Sequence, residues 1–507
     1  MRNAIKPIVI SLASGILMGL APAPFNCWYF AWIALVPFWI SIEQEKSWRR
    51  IVAISAAWGC GYHGLALSWI VGVHPMTWMG VPWIASVFIA LFCWVFITLW
   101  GVALVSVWGI SFKLAVLRIN RKEKNIFYSV ATVVIGVALW CGLETLWSYG
   151  ALWWTSLSFT QSPSNLIILQ LGKISGFNTI TAAIVVVNGL LAEAICYRRY
   201  YRQKIILFIL PTVIFMGCHG LGYWIYKTPI ETNNLEKIKV GIIQGNVPNE
   251  IKLSPTGWQK AIAGYTEGYR RLVKQNVDVV LTPETALPFY WENIIGGDFY
   301  RAVVEAKIPV WVGAFGKNDA SYTNSLFTLT GEGKTYSRYD KYKLVPLGEY
   351  IPLESVLGKL IDRLSPLEAH LKAGKSNQIF DTPFGKAIVG ICYESAFSHH
   401  FRRQAKAGGE FIITASNNAH YSNTMPAQHH AQDVMRAIES DRWAARATNT
   451  GYSAIVDPRG NTHWISEIDR YGIHADTIYN RRNQTLYVRW GDWLMPVLII
   501  LGILFLL

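Results

Sequence analysis

After residue 218 this 507-residue chain has a single cysteine, Cys392. A disulfide framework is therefore excluded for the whole second half. The other six (Cys27, Cys60, Cys93, Cys141, Cys196 and Cys218) lie in or beside apolar blocks, where a buried thiol is the ordinary reading. Histidines are grouped at His399, His400, His420, His429 and His430, but without the spacing to a carboxylate or cysteine that a zinc site needs. The net charge is +14, yet no nucleic-acid-binding motif accompanies it. Lysine and arginine are also absent from the stretches "APAPFN", "VHPMTWMG" and "SYGALWWTSLSFTQSPS". That last absence gives the positive charge its meaning.

The chain is 52% hydrophobic, and its apolar residues are unevenly spread. They form blocks near 7–25, 27–42, 51–73, 80–110, 126–147, 163–196, 204–226 and 490–507. Most approach or exceed the roughly 20 residues that span a bilayer as a helix. Eight spans are expected. Basic residues fall in alternate loops: Arg2 and Lys6; Lys46, Arg49 and Arg50; Lys113, Arg118, Arg121, Lys122 and Lys124; and "RRYYRQK" at 198–204. By the positive-inside rule these loops and the N-terminus face the cytoplasm, and whatever follows the seventh span lies outside it. Prolines make "APAP" a poor cleavage site, so a retained first helix is expected over a signal peptide. Glu144 and His63 within spans should face the protein interior, with structural hydrogen bonds.

Residues 237–489 read as a soluble α/β domain, flanked by a bundle over 1–226 and a final span over 490–507. β-rich runs are expected at 237–245, 277–284, 308–315, 325–331, 386–394, 410–417, 452–460 and 485–491, with helices such as 256–275 and 428–447 between them. Within the latter, Arg436, Glu439 and Arg442 have the spacing of structural ion pairs. Glu284 closes "VVLTPE" and Cys392 closes "AIVGIC", at strand ends where open α/β sheets build their sites. Lys341 and Lys343 lie in "YDKYKLVPLGEY". A thiol nucleophile needs a base and a cation or N–H donors for the oxyanion, and these residue types supply both without histidine. Glu349 and Glu394 are carboxylates able to orient the lysine or adjust nearby proton affinities.

The ordered motifs "TPET", "KYKLVPLGEY" and "GICYES" resemble the Glu–Lys–Cys set of the nitrilase superfamily. Together with the spans, "GLAPAPFNCWYFAWIALVPF", "QGNVP" and "RAIESDRWAARATNTGYSAIVDPRG", the chain resembles the apolipoprotein N-acyltransferase family over nearly its whole length. The resemblance implies a multi-domain protein: a polytopic α-helical membrane bundle of about eight spans plus an extracytoplasmic α/β nitrilase-like domain, an αββα sandwich. It implies Glu284 as general base, Cys392 as nucleophile and Lys341 as oxyanion-stabilising cation, Lys341 being chosen because the superfamily's lysine opens a K-x-[HR]-L pattern, which "KYKL" fits with lysine at the third place. Glu349 matches a further functional glutamate, and Tyr393 and Glu394 the pair after the cysteine, with the Tyr393 N–H an oxyanion donor. It implies acyl transfer from a membrane phospholipid, through a thioester, to a diacylated apolipoprotein. No cofactor, metal or nucleic acid is expected, and the setting the resemblance implies is the bacterial inner membrane. The sequence departs from the family at "SNNAHY", Ser416–Tyr421, after Glu144 where an arginine is usual, and around Leu253 where a tryptophan is common. A membrane-tethered amidohydrolase with the same trio is the alternative, and a transporter with an inactive domain a more distant one.

Overall fold

The computed structural model describes residues 2–119, 126–196, 201–231, 235–318, 321–346, 348–350 and 371–507. Arg121, Lys122, Lys124 and residues 198–200 of the basic stretch at 198–204 lie outside them. The chain divides into two compact units, one comprising 1–71, 89–228 and 489–507, the other 72–88 and 229–488.

The first unit is helical. Among the described residues, four helices are long and apolar enough to cross a membrane: Trp83–Ile119, Ile126–Ser148, Phe177–Cys196 and Ile205–Lys227. Shorter apolar helices cover Ile5–Gly19, Leu166–Ser175 and Leu494–Leu506. Helices Arg2–Gly19 and Trp48–Ala66 pack backbone to backbone. A Cβ on Gly15 would sit 2.2 Å from the Trp58 carbonyl oxygen, and one on Gly61 2.6 Å from that of Leu12. Small residues are what permit such approach where lipid supplies no hydrophobic drive between helices. Glu144 is buried and fully answered: it accepts from Trp140 Nε1 (3.1 Å), Ser156 Oγ (2.7 Å), Thr181 Oγ1 (2.9 Å) and the Leu157 N–H (2.9 Å). His63 Nδ1 pairs with Thr155 Oγ1 at 3.0 Å. Both side chains thus have the structural hydrogen bonds expected of them.

The second unit contains two six-stranded sheets. The first is built from β1 (Lys237–Gln244), β2 (Val279–Leu281), β3 (Val310–Asn318), β4 (Ser321–Leu329) and β5 (Thr335–Asp340), with β12 (Gly472–Tyr479) at the far edge, in the order β12-β1-β2-β3-β4-β5. The second has β6 (Phe380–Thr382), β7 (Gly385–Ile391), β8 (Phe411–Ser416), β9 (Ala444–Thr448), β10 (Ala454–Val456) and β11 (Thr462–Ile465), in the order β11-β10-β9-β8-β7-β6. In each sheet the three central strands, β1-β2-β3 and β9-β8-β7, run parallel. Alternate residues of both sheets, among them Val240, Leu281, Trp311, Val389, Ile413 and Ala445, share one buried cluster. The outer face of the first sheet packs on helices Pro255–Val273 and Asp298–Ala306. Helix Ser398–Lys406 lies on β7, where Phe401 leaves no room for a Cβ on Gly390.

Two expected elements differ. The helix read as 428–447 spans Thr424–Ser440 and stops at Asp441, which takes a left-handed φ of 54°. The alanine-rich "WAARAT" beyond it then pairs with β8 as β9, because lateral pairing in a buried sheet outweighs local helix preference. Arg436 and Glu439 do pair, at 2.9 Å, but the Arg442 guanidinium turns instead to the carbonyls of Gly409, Ser440 and Asp441. The apolar run at 485–491 is a helical turn, Leu486–Trp490, started by the Thr485 hydroxyl accepting the Val488 N–H at 3.0 Å.

The glycine contact yields a prediction. Gly61→Val forces a branched side chain against the Leu12 backbone and should cost about 1–3 kcal/mol, the usual range for overpacking. A lowered unfolding temperature in detergent would register it; an unchanged one would mean the two helices separate without penalty.

Candidate active site

Two chain reversals at strand ends bring the reactive groups together. Glu284 lies just past β2, in a turn where Thr285 adopts φ 47°. Cys392 follows β7 directly and itself has φ 51°, a conformation unusual for a side-chain-bearing residue and often found where a reactive group is held in place. Lys341 follows β5, its backbone N–H donating to the Asn324 carbonyl at 2.8 Å. All three are buried.

Lys341 is 1% exposed, and its ammonium donates to Glu284 Oε1 at 2.9 Å and Glu349 Oε1 at 2.8 Å. Asn324 Nδ2 reaches the same two oxygens, at 2.7 Å and 3.3 Å. Glu349 Oε2 accepts the Val345 N–H at 2.8 Å. Among the described residues, both donors to the Glu284 carboxylate converge on Oε1, which leaves Oε2 as the oxygen open to a proton. Lys343, the other lysine of the motif, turns its ammonium over the Phe397 ring at 4.7 Å.

The electrostatics follow from burial set against these pairs. Burial drives the Glu284 pKa up, but the Lys341 ammonium outweighs it and holds the group below the ordinary carboxylate range. Burial works to lower Lys341, but the two carboxylates keep it well above the usual lysine value and so charged. For Glu349, burial prevails and, helped by the Glu284 charge, raises the pKa. Burial, then the Glu284 charge, pushes the Cys392 thiol up to about 12. At neutral pH it is a thiol beside a carboxylate.

Glu394 has a different position. It is 0% exposed and accepts the Ile391 N–H (2.7 Å) on one oxygen and the Tyr342 and Lys343 N–H groups (2.7 and 3.1 Å) on the other. The Tyr339 hydroxyl lies 3.0 Å from both oxygens and 2.8 Å from His400 Nε2. One carboxyl group therefore ties the cysteine turn to the lysine loop. Burial raises its pKa to about 7 against the pull of the three backbone donors. The Tyr393 ring packs edge-on against Phe397.

Several groups around the thiol gave no sign in the sequence of what they contact. Asn324 sits in a plain β-strand, "SYTNSLF". The Asn417 carbonyl lies 3.8 Å from Cys392 Sγ, and His429 Nε2 is 2.7 Å from the Cys392 carbonyl. Lys252 is buried, its ammonium donating to the Glu284 carbonyl at 3.2 Å. Its place just after "QGNVP" was the one available hint. The departure at His420 stacks that ring on Trp78, with centroids 6.1 Å apart, while the chain at Gly72 presses on the backbone of Ser422.

Two stacked six-stranded sheets, with a glutamate, a lysine and a cysteine converging from strand ends, define a domain of the carbon–nitrogen hydrolase class. The carbon-nitrogen hydrolase family matches residues 239–464. The N-terminal domain of apolipoprotein N-acyltransferase matches residues 14–190. An apolipoprotein N-acyltransferase of Nostoc sp. is 54% identical over 96% of this chain and 96% of its own length. That of Synechocystis sp. is 50% identical over 96% and 97%. The solved structure of Saccharomyces cerevisiae Nit3, of the nitrilase superfamily, is 19% identical, covers 48% of this chain and 90% of its own, and has a TM-score of 0.37. The chain belongs to the apolipoprotein N-acyltransferase family.

The charge arrangement can be tested. Glu284→Gln removes the charge that opposes ionisation of the thiol while leaving Lys341 in place. The Cys392 pKa should fall below its value of about 12. Iodoacetamide labelling at pH 8–9, followed by mass spectrometry, should then accelerate at least several-fold where it runs through the free thiolate; unchanged labelling would mean that Glu284 does not act on the thiol, and slower labelling that it acts there as a base more than as a charge. Glu394→Ala leaves three backbone N–H groups, those of Ile391, Tyr342 and Lys343, without their acceptor. It should cost about 3 kcal/mol or more, given the penalty for each unanswered buried donor, read as a fall in unfolding temperature.

Proposed function

We propose that this protein is a membrane acyltransferase that moves an acyl chain from a phospholipid to the α-amino group of a diacylglyceryl-cysteine lipoprotein, through a thioester on Cys392. The observation that carries the reading is the convergence of Glu284, Lys341 and Cys392, with one Glu284 oxygen free, in a chain of this family.

In the first step Glu284 Oε2 takes the thiol proton as Sγ attacks the acyl ester. The thiol is held high and the carboxyl low, so a standing thiolate is disfavoured. The proton therefore moves as the carbon–sulfur bond forms. The remaining proton of the Lys341 ammonium and the Tyr393 N–H stabilise the oxyanion, as preorganised donors do at little reorganisation cost. Glu284 then returns the proton to the departing alkoxide, and lysophospholipid leaves. In the second step the same carboxylate accepts a proton from the attacking amine, and the thiol is restored as the amide forms. The amide is far more stable than the thioester, which drives the reaction forward. Glu349 holds Lys341 alongside Glu284, and Glu394 holds the cysteine turn.

The proposed setting is the bacterial inner membrane. The division is a bundle over 1–226, a catalytic domain over 237–489 and a final span over 490–507, with eight spans in all. Segment 72–88, which includes the lysine- and arginine-free loop "VHPMTWMG" that the charge pattern places outside the cytoplasm, belongs to the catalytic unit, which favours an extracytoplasmic catalytic domain.

Intact-mass spectrometry after incubation with a defined phospholipid and no acceptor tests this. The wild type should gain one acyl mass and Cys392→Ala none. Steady release of free fatty acid without an adduct would point instead to a hydrolase.

A further inference from the structure

The Glu–Lys–Cys site shares a single cation among its acidic groups. The Lys341 ammonium meets two carboxyl groups, Glu284 and Glu349, around a reaction that creates further negative charge. One cation already committed to two carboxylates is poorly placed to neutralise an oxyanion as well.

Lys252 stands on the other side of Glu284. It ends the short helical turn Asn249–Lys252, is 7% exposed, and has one hydrogen-bond partner among the described residues, the backbone carbonyl of Glu284 at 3.2 Å. Among the described residues, two of its ammonium protons have no hydrogen-bond partner. One turn earlier, Asn249 is also 7% exposed. Its Oδ1 accepts from Asn417 Nδ2 at 3.1 Å while its own Nδ2 is buried without a partner. Asn417 in turn presents its carbonyl to Cys392 Sγ at 3.8 Å. Lys252 and Asn249 thus bring unused donors to the thiol's surroundings from a segment that Lys341 does not reach.

We infer that Lys252 is a second cation of the active site, an electrostatic positioning residue that adds a positive charge beside Glu284 and so favours the negative charge that develops at Cys392 and the acyl carbonyl oxygen. The inference deepens the acyl-transfer reading and rests on it. No proton is transferred by Lys252; it stays an ammonium throughout, while the proton shuttles between Cys392, Glu284 and the leaving or attacking group.

The groups facing Lys252 are Glu284 from the end of β2, Cys392 from the end of β7 and His420 from the loop after β8, with Glu250 beside it on its own turn. Among the described residues, helix Pro255–Val273, packed against that turn, contributes no charge that acts on it. Burial lowers the Lys252 pKa to about 8, against the pull of Glu284 and Cys392. The ammonium is therefore intact at neutral pH and is lost as pH rises through that value, whereas Lys341 stays charged well above it.

The experiment is single-turnover acyl-enzyme formation by intact mass on full-length protein in detergent with one defined phospholipid, from pH 6 to 9.5. The wild-type rate should decline above about pH 8. Lys252→Met should slow acylation about 100-fold, as loss of a preorganised charge in a buried site does, and abolish the alkaline decline. Lys252→Arg should recover much of the rate and move the decline out of range. Alkylation of Cys392 by iodoacetamide, which needs no lipid, should slow in Lys252→Met, its pH profile shifting upward. Should Lys252→Met fail to fold, the wild-type and Lys252→Arg profiles decide alone. A wild-type rate with no decline to pH 9.5, or Lys252→Met acylating at the wild-type rate with an unshifted alkylation profile, would overturn the role of Lys252. A wild type that forms no adduct at all would overturn the acyl-transfer reading itself, and this inference with it.

Discussion

The catalytic unit depends on one buried carboxyl group that joins two sheets. Glu394 belongs to the turn after β7, in the second sheet, and its oxygens accept backbone N–H groups from that turn and from the loop after β5, in the first. A turn holding a residue at φ 51° has no regular ladder of its own to enforce it. Burying the donors of both loops is tolerable only while they share an acceptor, because an unanswered buried N–H costs more than the bond it forgoes. The distance from Cys392 to Lys341 is thus set by a residue that does neither residue's chemistry.

Around that clamp the site manages charge in a confined space. Lys341 is kept positive by two carboxylates and Glu284 is kept negative by Lys341, each shift being the reverse of what burial alone would impose. The thiol follows burial and the nearby negative charge, and stays protonated. Such a site is quiet at rest. On the proposed reading, its reactivity appears only when a substrate carbonyl gives the electrons somewhere to go. The helical unit solves the corresponding problem differently: Glu144 has four donors within reach, so its cost in an apolar setting is met by local hydrogen bonds.

Much of this was legible in the residues. Long apolar blocks, the alternation of basic loops, the β-rich runs and the motifs holding Glu284, Lys341 and Cys392 are local patterns, and local patterns are what a sequence displays. The helix over 428–447 misled for the same reason: "RAIESDRWAARAT" has good helix formers throughout, and only the neighbouring strand β8 converts its last residues into β9. Asn324 was invisible as a site residue because nothing in its strand distinguishes it, while Asn417, His429 and Lys252 lie in or beside stretches that drew notice without showing what these side chains contact.

By itself, then, the sequence determined where the long apolar blocks and the β-rich runs fall and which candidate side chains stand at strand ends, since hydrophobic period, charge and residue chemistry are properties of short stretches. Only the tertiary structure decided which oxygen of Glu284 is left open, which of the two motif lysines enters the carboxylate pair and which packs on Phe397, and that a lysine over thirty positions before Glu284 lies against its carbonyl. Those outcomes depend on contacts between residues far apart in the chain, and such contacts exist only once the two sheets have packed together and excluded water from the space between them.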